Sequence, residues 1–487
     1  MATMPHLRTS LRTRKARRVL AALLMGLLGS APTVSADQLP SLGSQTGGAL
    51  TATQEREIGK RFLSRAQRQL TFVQDPEILE YVRTIGHRIA AQTDFHAYPF
   101  HFYVVQDPSL NAFAVPGGYI FLHSGLIEAT DSAAELAGVL AHEIAHITQR
   151  HMARQVAASQ QTQLESLLLV LAGVMAGMQG QGEAAQALVA GASAYSQQEM
   201  LSYSRSHEHE ADRLGVGYLA ASGFDPEGLP AFLEELQNWA QLQGQSPPAY
   251  MSTHPLTTNR ISDARNRASR MQAASASTPL GEDTFQRIRA RMRAISAESS
   301  QEAYNHFREA VKRRPQDHSA RYGLALAARF SGRTEEAIGI LRGLMEDAPE
   351  EVAYRSALAE LLLSAGRPGG AVQAIRSALE LRPDAPELRE QLGEAQLAEG
   401  NASEALRTLV EVTRDYPDRA SAHRALAEAY ARTDQPIQAH RAEAEARWLL
   451  GQRAEALEQL RLAERLAQEQ SSDQLGLIRA RIKELQL

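Results

Sequence analysis

The chain has 487 residues, of which 22% are charged and none is cysteine, and its formal net charge is −5. This length exceeds what one hydrophobic core usually fills, so it indicates two domains. The acidic balance argues against nucleic acid as a partner. The absence of cysteine excludes disulfides and thiolate metal sites.

The N-terminus has the pattern of a secretory signal peptide. Six basic residues, with no acidic residue among them, precede a short apolar run, Val19 to Leu28. Val34-Ser35-Ala36 then offers small residues for cleavage. The run is too short to span a bilayer. We predict a signal peptide at 1–36, whose removal changes the net charge from −5 to −11, and a flexible leader at 37–52. A basic tail before a buried helix is the alternative.

Two β-rich segments, His101 to Val105 and Tyr119 to Leu122, bracket the turn Pro116-Gly117-Gly118. We predict that they form part of a small antiparallel sheet, preceded by helical sequence from Gln54 to Ala91. Pro116 suggests that this segment lies at a sheet edge. An exposed edge beside an active site could pair with an extended polypeptide, whereas an ordinary hairpin is the alternative.

His142-Glu143-Ile144-Ala145-His146 spells H-E-x-x-H in a predicted helix that begins at a capping box of Ser132 and Glu135. Residues four apart lie on one face of a helix. His142 and His146 can therefore bind one zinc ion, while Glu143 holds the attacking water. Two solvated helix histidines are the alternative.

A hydrolytic zinc site takes three protein ligands, so a third is needed. His151 does not fit the metzincin pattern, because Gln149 stands at the glycine position. Glu208 is the better candidate. It shares a helical face with Asp212, which can accept the spare N–H of a ligating histidine and orient it. Glu210 points elsewhere on that helix and is interpreted as a solvated charge.

The stretch from Leu164 to Met178 is almost wholly apolar but too short to span a membrane. Three interpretations stay open: a buried helix, a mobile lid over the cleft, or a contact with the membrane surface. The glycine-rich segment 177–182 that follows favours mobility.

A small, polar segment at 272–283 is predicted to link two domains, and the chain repeats every 34 residues beyond it. Two positions of the repeat show this period clearly, a proline at 315, 349, 383 and 417 and a glycine at 332, 366 and 400. The period resembles that of tetratricopeptide repeats. We predict an α-solenoid at 284–470 and a helical tail at 471–487. The array either presents a concave surface to a protein partner or only stabilises the rest.

The H-E-x-x-H motif followed by E-x-x-A-D at 208–212 resembles the HtpX-like and CAAX-prenyl-protease-like gluzincin metallopeptidases. The segments N-A-F-A-V-P-G-G at 111–118 and S-T-H-P at 252–255, with Arg260 after them, are similar to further motifs of that family. The resemblance implies a zincin-type metalloprotease domain at 53–271, mostly α with a small antiparallel sheet. It agrees with one zinc per chain on His142, His146 and Glu208.

With its repeat tail, the whole chain resembles a periplasmic branch of this family that is associated with quality control of outer-membrane assembly. The resemblance implies a zinc endopeptidase that acts on unfolded or misassembled envelope proteins, with repeats that bind the assembly machinery. A chaperone-like adaptor that acts mainly through its repeats is the alternative. A scaffold with structural zinc is a third hypothesis, but such a site has no use for Glu143 as a base.

His254 lies 46 residues after Glu208, and Pro255 favours an extended backbone there. Three interpretations stay open at this point. His254 is a surface histidine, an electrophile that stabilises the oxyanion during peptide hydrolysis, or a reversible fourth zinc ligand that keeps the enzyme latent.

Overall fold

The computed structural model describes residues 50–158, 205–242, 248–272 and 280–486. The predicted signal peptide, nearly all of the leader, the apolar stretch from Leu164 to Met178 with the glycine-rich segment after it, and most of the linker lie outside these ranges. Within the described ranges, no helix combines the length and apolar character that crossing a bilayer requires.

Two helices open the described part, Ala52–Gln69 and Pro76–Ala90. Thr51 begins the first with a reciprocal capping box, and Asp75 caps the second through its side chain. The first helix buries its apolar side against the sheet. The second packs on the sheet and on the helix that carries the histidine motif, so both become part of the support of that helix.

The sheet has three short strands, β1 (His101–Val105), β2 (Ala112–Val115) and β3 (Tyr119–His123), in the order β1-β3-β2. β2 and β3 form an antiparallel hairpin, whereas β1 pairs with β3 in parallel. The prediction of a purely antiparallel sheet is therefore wrong in this detail. After β1 the chain crosses to the far edge of the sheet and runs back as β2. It then turns into β3, which lies between the other two strands and runs parallel to β1.

The turn between β2 and β3 depends on two glycines with φ of +92°. A Cβ on Gly117 would lie 2.8 Å from the Glu55 carbonyl oxygen, and one on Gly118 would lie 2.1 Å from that of Pro99. Only glycine fits both the backbone conformation and the space. β2 lies at the edge of the sheet, but all four of its residues are buried, so the predicted exposed edge is absent in this conformation.

The motif helix, Ala133–Thr148, is buried on every side over nearly its whole length. The Ser132 hydroxyl accepts a hydrogen bond from the Glu135 N–H at 3.2 Å, which is one half of the predicted capping box. The Glu135 carboxylate accepts from the Asp131 N–H at 2.8 Å instead of from that of Ser132. The carboxylate helix, Arg205–Ala221, packs against it at Gly215, where a Cβ would lie 3.3 Å from the His142 backbone nitrogen. This close approach brings the two helices within reach of a shared ligand.

Further helices complete the described part of residues 50–272. They are Ser124–Ala129, His151–Ala158, Gly228–Leu242, Ala249–Thr253 and Thr258–Ala268.

The linker helix, Glu282–Ser296, belongs to two hydrophobic cores at once. Phe285, Ile288 and Met292 are buried in the core that includes the motif helix. Ala290 and Ala294 are buried with the first repeat helices instead. This helix starts inside the predicted linker at 272–283, and the predicted domain boundary itself stays a prediction.

Beyond it the chain forms an array of helices of similar length, which confirms the predicted class, mostly α with a repeat solenoid. The array helices are Ser300–Arg313, His318–Phe330, Thr334–Asp347, Val352–Ser364, Pro368–Leu381, Pro386–Glu399, Ala402–Asp415, Ala420–Arg432, Pro436–Leu449, Arg453–Glu469 and Leu475–Gln486. The turns within the repeats share one conformation: Gly332, Gly366 and Gly400 have φ of 76°, 69° and 91°. Asp434, which replaces glycine in the last unit, adopts φ of 57°, so the backbone keeps the period where the sequence departs from it.

Candidate metal centre

Four side chains from three segments converge beside the motif helix. His142 and His146 lie one turn apart on that helix, Glu208 comes from the carboxylate helix, and His254 follows the helix Ala249–Thr253. Each offers one ligand atom, all of these atoms lie within 4.8 Å of one another, and all four residues are buried. The three predicted ligands are thus brought together, and His254 joins them.

The distances between these atoms suit a single metal ion. The Nε2 atoms of His142 and His146 are 3.0 Å apart, and they lie 3.5 and 3.4 Å from the oxygens of Glu208. His254 Nδ1 lies 3.4 Å from His142 Nε2 and 3.2 Å from Glu208 Oε1. Four atoms arranged tetrahedrally around zinc, at its usual bond lengths, are separated by about 3.3–3.4 Å. The donor set fits that ion in number, chemistry and spacing.

Asp212 lies where the sequence predicts it, beside the second nitrogen of a candidate ligand. Its Oδ1 is 3.0 Å from His142 Nδ1. Arg260 donates two hydrogen bonds to Asp212 at 2.7 and 2.8 Å, and its Nη1 lies 2.7 Å from Glu208 Oε2. Burial alone would raise the pKa of Asp212, but Arg260 and His142 hold that pKa below its ordinary value.

Arg260 contacts the candidate site, but the sequence analysis assigned it no role there. It entered only as the last letter of a family motif, although the side chain is 1% exposed and contacts both Glu208 and Asp212. Burial would raise the pKa of Glu208, but His254 and Arg260 keep it well below the usual value for glutamate. Both carboxylates therefore stay ionised, as ligands and orienting groups must.

Glu143 is fully buried between His254 and Tyr250. Its Oε1 is 3.5 Å from His254 Nε2, and the Tyr250 hydroxyl donates to the same oxygen at 3.4 Å. Burial raises the pKa of Glu143 above its ordinary value. A carboxylate with a raised pKa is better matched to proton transfer near neutral pH.

His254 is held in place by its neighbours. The Tyr250 ring stacks on it with centroids 4.4 Å apart, and the Tyr250 N–H donates to the Leu110 carbonyl at 3.0 Å. Leu110 directly precedes the N-A-F-A segment, so two of the family motifs meet here. His254 has no exposed surface, which excludes the interpretation as a surface histidine.

His151 is not among the four clustered residues, but it contacts one of them, His146. Its Nδ1 lies 2.9 Å from His146 Nδ1, and its Nε2 lies 3.0 Å from Glu210 Oε2. The interpretation of Glu210 as a solvated charge is therefore wrong, because it pairs with His151 and Arg154. No spacing rule in the sequence signals this contact, since it depends on a backbone turn at Arg150.

Two family models match the chain. The model for peptidase family M48 matches residues 77–268, and a tetratricopeptide-repeat model matches residues 294–361 and 362–429. These matches confirm the family and the repeats that the motifs predict.

Several curated relatives are named as proteases. The chain is 37% identical over 261 residues to a beta-barrel assembly-enhancing protease of Escherichia coli K12, covering 52% of each chain. It is 38% identical over 271 residues to the protein of that name in Yersinia pestis, covering 52% of this chain and 54% of that one. It is also 32% identical over 181 residues to the mitochondrial metalloendopeptidase OMA1 of Schizosaccharomyces pombe, covering 37% and 50%. The chain thus spans about half the length of the curated relatives it matches.

Proposed function

Because residues 77–268 form a domain of peptidase family M48 and tetratricopeptide repeats follow them, we propose that the protein is a zinc-dependent endopeptidase. The observation that carries this proposal is the buried cluster of His142, His146, Glu208 and His254 with Glu143 beside it. His142, His146 and Glu208 would hold one zinc ion per chain. When bound, zinc acts as a Lewis acid that polarises the scissile carbonyl and makes water acidic enough to attack near neutral pH.

Glu143 would move the proton in this reaction. It follows the first ligand along the chain and is buried, so it can accept a proton from the attacking water and give it to the leaving amine. Asp212 Oδ1 lies 3.0 Å from His142 Nδ1, where it would hold the proton of that ring away from the ligating nitrogen. Arg260 in turn holds Asp212 through two hydrogen bonds.

His254 would act as the fourth ligand and keep the enzyme latent. Its Nδ1 reaches Glu208 and His142 while its Nε2 faces Glu143, so it occupies the space that water and substrate need. The centre and strand β2 are both buried, which agrees with a closed conformation. Substrate binding would require His254 to withdraw, and an opened edge of β2 would then be available to an extended polypeptide.

The proposed substrates are unfolded or misassembled envelope proteins, and the proposed location is the periplasm. The signal-peptide pattern at 1–36 supports export, and the names of the relatives connect proteins of this kind with β-barrel assembly. The repeats would bind the assembly machinery, because stacked helical repeats form extended binding surfaces. A peripheral contact with the membrane is part of this proposal only through residues 164–178.

Replacing Glu143 by Gln tests the hydrolytic mechanism. We expect the variant to keep about one zinc per chain and to lose at least about 100-fold in cleavage of an unfolded test protein. Glu208→Ala should instead lose the zinc, since it removes a ligand. Zinc content by atomic emission and cleavage by gel assay measure both; full activity in Glu143→Gln would sink the mechanism.

His254→Ala tests latency. The variant should keep zinc, because three ligands remain, and should cleave faster, including self-cleavage. If zinc is kept but activity falls by about two decades, His254 stabilises the oxyanion instead of restraining the enzyme.

The second candidate function is a chaperone-like adaptor that works mainly through the repeats. A groove of about 330 Å³ between the helices Pro386–Glu399 and Ala420–Arg432 supports it, with Glu394, Arg424 and Glu428 among its lining residues. Removing residues 284–487 is a poor test, because it would strip three buried side chains of the linker helix from the protease core.

Full-length Arg424→Glu is the better variant, since the side chain is exposed and its replacement removes no buried side chain from either core. We expect it to capture fewer envelope proteins in a pull-down while its zinc content and its cleavage of a generic unfolded protein stay unchanged. If Arg424→Glu shows a cellular defect as severe as that of Glu143→Gln, the adaptor role carries as much of the function as proteolysis does.

A further inference from the structure

The two histidines of the H-E-x-x-H motif are supported in different ways. Both present Nε2 toward the ligand cluster, which leaves Nδ1 of each ring for a second contact. For His142 this contact is the Asp212 carboxylate at 3.0 Å. For His146 it is another imidazole, because His151 Nδ1 lies 2.9 Å away.

The contact between two Nδ1 atoms determines where the protons lie. A histidine that ligates through Nε2 carries its proton on Nδ1, so His146 must donate and His151 must accept. His151 then carries its own proton on Nε2, which lies 3.0 Å from Glu210 Oε2. Arg154 Nη2 donates to the same oxygen at 2.6 Å. The hydrogen bonds from His146 to His151 and from His151 to Glu210 therefore run in the same direction, and Glu210 is the final acceptor.

The backbone holds His151 in this position. The motif helix ends at Thr148. Two residues later Arg150 has φ of +51°, a left-handed conformation that residues other than glycine seldom adopt. Such a conformation persists where the surroundings impose it. Here the Arg150 guanidinium contacts the buried Glu55 at 3.1–3.3 Å. The reversal places His151 beside His146, and His151 is fully buried.

We propose that His151 is a positioning residue that fixes the tautomer and the orientation of the ligand His146, with Glu210 and Arg154 anchoring it. The inference rests on the proposed metal centre. It assigns a role to residues that do not contact the clustered ligand atoms themselves and act only through His146. The partner is chemically suitable, because a neutral imidazole can accept the hydrogen bond without adding a charge.

The charge balance explains why an imidazole serves here. Glu143, Glu208 and Asp212 are already buried near the ligands, and Arg260 is the cation that contacts the last two. A further buried carboxylate beside His146 would need its own compensation. With an imidazole next to His146, the nearest carboxylate lies farther out. It is that of Glu210, whose side chain is 28% exposed and paired with Arg154. His146 is oriented while the buried charge stays unchanged.

Two substitutions of similar size, His151→Asn and His151→Gln, distinguish a positioning role of His151 from a packing role. Asn at 151 places an acceptor oxygen close to the position of Nδ1, whereas Gln places its amide nearer the position of Nε2. All variants are made in the full-length Glu143→Gln protein, so that self-cleavage does not interfere. Zinc affinity is then measured by competition with a chromophoric chelator.

We expect His151→Ala to bind zinc about 10–100-fold more weakly than the parent, the usual effect of losing a group that orients a metal ligand. His151→Asn should restore most of the affinity, and His151→Gln should behave like His151→Ala. Glu210→Gln keeps an acceptor for His151 but not the charge, so its loss should be smaller than that of His151→Ala. His207→Ala is the matched control, because it removes the ring that stacks on His151 and so tests the packing of His151 by itself.

Unfolding of the metal-free proteins gives the second readout. A packing role predicts that zinc affinity follows metal-free stability across the variants, with Asn and Gln equivalent. That pattern, or parental affinity in His151→Ala, overturns the inference. If the parent itself binds no zinc, the metal centre fails instead, so the two failures are distinguishable.

Discussion

Two buried arginines, Arg260 at the candidate centre and Arg291 in the linker helix, have similar surroundings but different consequences. They are 1% and 3% exposed, and both contact at least two carboxylates. The carboxylates of Arg260 come from one helix, one turn apart. Those of Arg291 come from opposite sides of a junction: Asp75 begins a protease helix, and Glu360 lies in a repeat helix.

A buried guanidinium is costly unless every charge around it is matched, so its partners restrict the geometry strongly. At the centre this restriction acts on side chains, since Arg260 sets the positions of a candidate ligand and of the group that orients another. At the junction it acts on whole segments. Arg291 Nη1 donates to the Tyr322 hydroxyl at 2.8 Å, which in turn donates to Glu77, so the first repeats are held against the protease helix Pro76–Ala90.

The largest effect is expected from Arg260→Met, which leaves Asp212 and Glu208 as uncompensated buried charges. We expect a loss of about 3–5 kcal/mol in the free energy of unfolding, together with loss of zinc. Chemical denaturation and zinc content measure the two effects. Arg260→Lys is the control, because it keeps the charge but not the paired hydrogen bonds. If Arg260→Met keeps a normal zinc content, Asp212 does not need the hydrogen bonds from Arg260 to support the zinc site.

Arg291→Met should cost less, about 2–3 kcal/mol, because the side chains of Asp75 and Glu360 are 11% and 20% exposed and water can reach them. Zinc affinity should stay unchanged, while the repeats become easier to cleave from the protease part in limited proteolysis. Loss of zinc in Arg291→Met would contradict this prediction, since it would show that the junction also determines the geometry of the metal centre.

Glu282→Ala tests a direct hydrogen bond between these regions. The Glu282 carboxylate accepts a hydrogen bond from the Ala133 N–H at 3.1 Å, so the linker helix caps the motif helix. We expect a loss of about 1 kcal/mol, as for other helix caps, measured by chemical denaturation. Ser132→Ala is the matched control, because Ser132 is the N-cap of the same helix. A larger loss from Glu282→Ala would mean that this contact also supports the junction.

The smallest effect is expected from an ion pair within the array. Arg367 and Glu335 form a salt bridge in which both side chains are about half exposed or more. Arg367→Ala should change stability by less than about 0.5 kcal/mol, and 1 M salt should remove even that difference. A loss comparable to that of Arg291→Met would show that the number of ion pairs, and not their burial, governs stability here.

Sequence reasoning succeeded where a contact depends on spacing within one helix. The pairs of His142 with His146 and of Glu208 with Asp212 follow from residues four apart on one face. The 34-residue period predicts the repeats in the same way, because each repeat mainly contacts its neighbours. The N-cap at Ser132 is equally local, and the structure contains it, although Glu135 bonds to the Asp131 N–H and not to that of Ser132.

The remaining contacts could not be read from spacing. The sheet is mixed because the chain crosses β3 before the hairpin, and no local pattern encodes that crossing. His151 reaches His146 because Arg150 adopts a left-handed conformation, which the buried Glu55, 95 residues earlier, helps to impose. In both cases distant packing overrides what the neighbouring residues prefer.

By itself, the sequence determined the secondary structure of the motif helices, the identity of three candidate ligands with their base, and the period of the repeats, since each depends on geometry within a few turns of one helix. Only the tertiary structure decided that His254 joins the ligand cluster, that Arg260 holds two carboxylates, and that the linker helix enters two cores. Those contacts join residues separated by dozens to hundreds of positions. Their partners are selected by how buried charges and apolar faces are matched when the chain packs, and no periodicity records that choice.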